Sequence, residues 1–364
     1  MPSARVRNRL IGLALGALAA ACIIGRDIRR DSGLRWHILP EGEGTIAAIA
    51  LQYTSNTRET TAPAYHAFLT TIDPSVNVTA VCPDKAAADA FLSDAASWKV
   101  ANPGRLHTAV VGKTITTWCK DRFLVTGGTP ASLLQPRDEL SGIAGRNGDA
   151  SVAPALHLAD PARFTTVKTD LSYDAGDFLS TKDSLIVSDS LWNKNGRDPH
   201  FLNRLQSQFS SRIVWLHGAP DHHIGMFVAI LSNNVALVGD TNITQPLWNA
   251  GLDRRLGKAD FSPTVAASLT AVQDGLRKAG FRVIKLPTAN LGPKTFISYT
   301  NGVFETRNGR QIVYMPWYDE PILDNAARAT YESLGCEVHP IPVKALYRYH
   351  GTIGCLINVL RRKQ

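Results

Sequence analysis

No Cys-x-x-Cys pair joins any of the five cysteines (Cys22, Cys82, Cys119, Cys336 and Cys355), so these 364 residues lack the spacing of a zinc ribbon or a dithiol redox centre. Blocks of one charge are missing as well. Basic residues outnumber acidic ones by 39 to 31, yet they are scattered, apart from Arg5, Arg7 and Arg9 near one end and Arg361, Arg362 and Lys363 at the other. No basic stripe interleaved with aromatics accompanies the net charge of +8, and no nucleic-acid partner is expected. The uncharged run from Leu10 to Gly25 falls short of the about 20 residues that span a bilayer comfortably. What remains is ordinary globular material, 44% hydrophobic and 19% charged.

Residues 1–30 stand apart from the rest. Arg5, Arg7 and Arg9 precede the apolar run, and small residues (Ala19, Ala20 and Ala21) lie just before Cys22. That order reads as a secretory signal, a lipoprotein signal with Cys22 lipidated, or a membrane anchor, and it predicts an exported protein. Any membrane contact is expected through this segment alone. Cys82 and Cys336 lie within apolar, strand-like runs and read as buried free thiols.

A repeat runs through the remainder. Gly275–Pro287 and Thr330–Pro342 each hold a helix end, a glycine, a short alternating strand and a proline. Looser copies join a helix near Ala64–Ile72 to a strand at Val76–Cys82, and a helix at Lys85–Lys99 to a strand at Leu106–Val111. Asp198-Pro199 predicts the start of a helix leading to the strand Ile213–Leu216, and Ser262-Pro263 and Asp324 predict two further helix starts. Extended segments are expected at Thr116–Val125, His223–Ile230, Phe296–Phe304 and Gly351–Leu360. Met226–Leu231 and Val235–Gly239 form a hairpin across Asn233-Asn234. Five helix-then-strand units close most economically as a ring, although an ordinary α/β sandwich fits the same pattern.

Chemistry-bearing residues cluster between these units. Trp118-Cys119-Lys120-Asp121-Arg122 offers a carboxylate for a cation or a surface ion pair. Tyr173-Asp174-Ala175-Gly176-Asp177 suits a turn as well as a site. Asp221-His222-His223 is too short of nitrogen and sulfur ligands for zinc, but a strand-edge histidine can serve as acid and base. His350-Gly351-Thr352-Ile353-Gly354-Cys355 has glycines that leave room beside a sulfur, or a cysteine simply buried in a strand.

In this order, Trp118–Asp121, Asp174–Asp177, His223-Ile224-Gly225, Ser298-Tyr299-Thr300-Asn301 and Gly351–Cys355 resemble the landmarks of agmatine deiminase and bacterial peptidylarginine deiminase, members of the pentein (guanidine-modifying) superfamily. Val313–Glu320 resembles a further segment of that family. The resemblance implies a five-bladed α/β propeller over residues 45–364 and hydrolysis of a guanidino group with release of ammonia. It implies Cys355 as nucleophile, His223 as acid and base, and Asp174 as the acid that orients the histidine. Asp121 would grip the guanidinium, with Trp118, Asp177, Asp221 and Asn301 around the substrate. The substrate would be agmatine, an arginyl peptide or a related guanidine, and neither metal nor organic cofactor is required. Gly225 departs from the pattern: the family's second guanidinium-gripping acid belongs there, which leaves Asp221 or Asp177 to take its place. Lys120 stands for the usual arginine, and the approach to Cys355 has fewer glycines than is usual. Amidino transfer, or a catalytically silent propeller that binds guanidines or a partner protein, fits the same landmarks.

Overall fold

One strand pattern recurs five times in the computed structural model, which describes residues 35–137, 146–250, 256–292 and 294–363. Each sheet has two antiparallel strands and a third, parallel to the second. A parallel neighbour cannot be reached through a tight turn, so helical crossovers lie between second and third strands. Leu124–Val125, Ala131–Gln135 and Phe164–Lys168 form one such sheet. Leu179–Ser180, Ser184–Ser188 and Arg212–Leu216 form the next. Val228–Ser232, Val235–Asp240 and Arg282–Gly292 follow, with Thr295–Ser298 added at the edge. Val303–Arg307, Arg310–Trp317 and Glu337–Pro342 complete the fourth. In the remaining sheet the C-terminal strand Ile357–Lys363 pairs antiparallel with Thr45–Gln52, which lies parallel to Asn77–Cys82 and then Leu106–Val110. The two ends of this unit, His37–Gln364, are therefore joined in one sheet.

The second strands are short apolar runs, as at Ser184–Ser188, where every residue is buried. Helix Pro263–Lys278 begins at Ser262 with proline in its first turn and buries Leu269, Val272 and Leu276. Gly280 (φ 93°) and Gly335 (φ 79°) end this helix and Pro321–Ser333 in the left-handed region, as the repeat requires. Pro287 and Pro342 fall at matching places, each in a third strand and paired to the end of a second strand, Asp240 and Trp317.

Three expectations change. The helix after Asp198-Pro199 begins only at Phe201, because Asp198 accepts the His200 amide (2.8 Å) and closes a turn of its own. Asp324 lies within helix Pro321–Ser333, where its buried carboxylate holds the amides of Tyr318 and Glu320 and the Tyr299 hydroxyl. The extended segments expected from Thr116, His223 and Gly351 each contain a short helical turn before the strand starts. The proposed export segment, residues 1–30 with Cys22, lies outside the described residues; among those described, no helix is long and apolar enough to cross a membrane.

Candidate active site

Those short turns build the site. Five first strands are each preceded by a turn or loop carrying a landmark: Cys119–Arg122 with Asp121, Ala175–Asp177 after Asp174, Ile224–Met226 after His223, Thr300-Asn301, and Ile353–Leu356 with Cys355. Contacts link them in a closed circuit. The Cys355 thiol donates to Asn301 Oδ1 (3.3 Å), and the Gly354 amide donates to the Asn301 carbonyl (3.0 Å). Thr300 Oγ1 donates to the Gly225 carbonyl (3.0 Å). His223 Nε2 lies 3.4 Å from Asp174 Oδ2, and Arg122 donates to Asp174 Oδ1 (3.4 Å). Asp121, His223 and Cys355 then meet, with a carboxylate oxygen, a ring nitrogen and the sulfur all within 4.8 Å of one another.

Glycines permit this approach. A Cβ on Gly176 would lie 2.7 Å from His223 Nδ1, one on Gly351 would lie 2.6 Å from the Trp118 indole, and one on Gly354 would lie 2.9 Å from the Gly302 carbonyl. Asp121, His223 and Cys355 face a cavity of about 630 Å³, the size of a small-molecule site, walled by Trp118, Lys194, His222 and Tyr349.

Electrostatics divide the labour. Burial opposes a charged His223, but the charge of Asp121, the polar groups of Asp174 and Cys355 beside it, and the charge of Asp177 outweigh it, so the ring titrates well above its ordinary range. Burial likewise opposes a charged Asp174; the bond to His223 and the charges of Lys194, His223 and Arg146 hold it far below the usual carboxylate range. His222 stacks on His223 with ring centres 5.0 Å apart, and its burial together with that neighbour's charge pulls it down to about 3. One histidine is thus an imidazolium beside a sulfur, and the other is neutral. Asp121 Oδ1 and His223 Nδ1, 3.7 Å apart, are buried and have no hydrogen-bond partner. They leave a carboxylate acceptor and a ring nitrogen unpartnered beside the cavity. The Cys–His–Asp donor set is of a kind that holds zinc, but the guanidinium of Arg146, 2.8 Å from Asp121 Oδ2, opposes a divalent cation there.

Trp118, Asp121, Asp174, His223 and Cys355 all line the cavity, and Asp221 lies exposed on its rim. Two residues expected around the substrate, Asp177 and Asn301, are not among those that line the cavity. Asp177 is fully buried, its carboxylate held by Lys194 (2.7 and 2.9 Å) and by the Asp174 amide (2.9 Å), so it braces the Asp174 turn and cannot replace the acid missing at Gly225. Asn301 faces the sulfur, and Thr352 Oγ1 donates to its side-chain oxygen (2.6 Å). Sequence reasoning missed Arg146 and Lys194, which touch Asp121, Asp174 and Asp177. Each is a single basic residue in an unremarkable stretch, without a local signal.

No family sequence model matches the chain, and no curated protein sequence does. Solved structures do resemble it. Agmatine deiminase of C. jejuni matches over 93% of this chain and 100% of its own, at 16% identity and a TM-score of 0.69. A Cys-to-Ser variant of that enzyme with substrate bound matches over the same shares at 15% and 0.68. An agmatine deiminase of Enterococcus faecalis, catalysing its reaction, matches over 90% of this chain and 96% of its own at 11% and 0.64. The chain shares the mixed α/β fold of these agmatine deiminase structures.

Proposed function

We propose that this chain is a cysteine-dependent hydrolase of guanidino groups that releases ammonia from a site at the centre of a ring of five α/β blades. The convergence of Cys355, His223 and Asp121 from three different sheets carries the reading. The closed circuit of contacts among the five turns, and the pairing of the first and last strands, support the ring.

The steps follow from the geometry. Cys355 gives up its thiol proton to solvent and, as a thiolate beside the His223 imidazolium, attacks the planar guanidinium carbon. Asp121 Oδ1 accepts one N–H of the group and fixes its plane. As the tetrahedral adduct collapses, His223 gives its proton to the departing nitrogen, and ammonia leaves. The ring, now neutral, takes a proton from water, and the hydroxide attacks the amidino carbon bound to sulfur. The thiolate is expelled, and the product's hydroxyl proton passes to solvent, where it is taken up by the released ammonia. A neutral ureido product departs with the thiolate–imidazolium pair restored, so one water is consumed for each ammonia released. Asp174, held by Arg122, Arg146 and Lys194, keeps the ring aimed throughout. The scheme calls on neither metal nor organic cofactor.

Agmatine, arginyl peptides and related guanidines are the proposed substrates, and residues 1–30 are proposed to export or anchor the chain. Gly225 favours a second reading, a binding propeller without turnover, because a guanidinium then meets one acid fewer. Ammonia release from agmatine, arginine and arginyl peptides, compared with Cys355→Ala, separates the two. Release that depends on Cys355 supports the hydrolase. No release from any of them, with Cys355 also inert to a haloacetamidine, overturns it.

A further inference from the structure

A guanidinium already sits against the acids of this site, and it belongs to the chain. Arg146 Nη2 donates to Asp121 Oδ2 (2.8 Å) and to Asp174 Oδ1 (3.0 Å), and Nη1 lies 3.6 Å from Asp149 Oδ2. We propose that Arg146 is a resident guanidinium that positions Asp121 and Asp174 and sets the charge preference of the site, so that the substrate is chosen by shape and one N–H contact rather than by net positive charge. The inference rests on the guanidino-hydrolase reading above and specifies how that site discriminates.

The placement is built, not incidental. Arg146 opens a short helical turn, Arg146–Asp149, in the crossover between the strands Ala131–Gln135 and Phe164–Lys168. Gly148 packs so closely on the Thr114 carbonyl that a Cβ would approach to 1.9 Å. Asp149, completely buried, accepts from the Thr116 amide (2.8 Å), Thr116 Oγ1 (2.7 Å) and Gln52 Nε2 (2.9 Å). The turn is therefore clamped while it delivers the arginine. Yet the fork is poorly satisfied, since Arg146 Nε and Nη1 are buried with no hydrogen-bond partner. A residue kept for stability alone would not leave two such donors open.

What remains for a substrate is narrow. Asp174 has both oxygens engaged, Oδ1 by Arg122 and Arg146, Oδ2 by Lys194 and His223. Gly225 supplies no side chain, and the space beside it faces the amide nitrogen of Asn301, 3.0 Å from where a Cβ would stand. Among the buried acids described around the cavity, Asp121 Oδ1 is left to accept a substrate N–H, with Asp221 exposed on the rim. A cationic substrate must approach with Arg146 paired to that same carboxylate, and two guanidinium charges a few ångströms apart in a buried site repel strongly.

The test compares two reagents of nearly one shape on the full chain, cationic chloroacetamidine and neutral chloroacetamide, by their rates of alkylating Cys355. Replacing Arg146 with Gln keeps a donor for Asp121 and removes the charge. The amidine-to-amide rate ratio is expected to rise about tenfold or more in Arg146→Gln and to fall back toward the unmodified value in Arg146→Lys. An unchanged or lowered ratio in Arg146→Gln overturns the inference and leaves the hydrolase reading standing. If neither reagent labels Cys355 in the unmodified chain, the hydrolase reading fails and the inference with it. A measurement on the unmodified chain guards against a misfolded variant: methylguanidinium and methylurea should protect Cys355 from chloroacetamide at concentrations within about tenfold of each other. Protection by methylguanidinium at concentrations a hundredfold lower would refute a resident cation.

Discussion

Substituting Gly176 by Ala should slow turnover far more than it disturbs the fold. The added Cβ would stand 2.7 Å from His223 Nδ1, 2.8 Å from Cγ and 3.1 Å from Cβ, whereas ordinary contact begins at 3.4 Å. The ring must therefore withdraw by the difference between 3.4 and 2.7 Å, about 0.7 Å, which shifts it within the cluster it forms with Asp121 and Cys355. Displacing a catalytic group by about 1 Å costs on the order of a hundredfold in rate, so kcat should fall between about tenfold and a hundredfold. Gly176 is outside the left-handed region, so the backbone itself accepts alanine. Overpacking the turn should cost about 1–3 kcal/mol, which an intact far-ultraviolet spectrum and a modestly lowered urea midpoint would register. Ammonia release and Cys355 alkylation by neutral chloroacetamide, measured on the same preparation, separate lost geometry from lost structure. A Gly176→Ala protein with unaltered kcat would show that His223 is not the group that moves the proton.

The two stacked histidines should titrate in opposite directions. His222 is depressed to about 3, so its neutral form contributes stability above its unfolded value of about 6.5, and that contribution is lost as pH falls toward 3. Urea midpoints between pH 7 and 4 should therefore fall less steeply in His222→Phe than in the unmodified chain; parallel curves would contradict the burial argument. His223 is raised, so the stability from its charge is complete below about 6.5 and disappears as pH climbs through its folded value. The same deprotonation should set an alkaline limit on ammonia release well above pH 6.5, and activity that collapses between pH 6 and 7 would count against the imidazolium.

The sequence exposed the fold wherever a period was long enough to register. The repeat of helix, glycine, strand and proline ending at Pro287 and at Pro342 marks two third strands of successive sheets, and the hairpin around Asn233 stands where alternation placed it. Turns of three or four residues leave no such period. Cys119–Arg122 and Ile353–Leu356 were therefore absorbed into extended segments, although these turns bring Asp121 and Cys355 to the centre. The landmark residues were visible because each combines a polar group with glycine or an aromatic in a fixed order. Asp177 was misplaced because a carboxylate one helical turn from another gives no indication of which way it points; Lys194, far along the chain, draws it inward. Arg146 and Lys194 were invisible for the same reason, as their partners are brought to them only by the assembly of the sheets.

The central claim, covalent catalysis at Cys355, is tested most directly by the mass of the intact protein quenched in acid during turnover of a guanidine that it hydrolyses. An amidino adduct confined to Cys355, absent in Cys355→Ser together with ammonia release, is the predicted result. Ammonia release that persists in Cys355→Ser, with no adduct in the unmodified chain, would contradict the account.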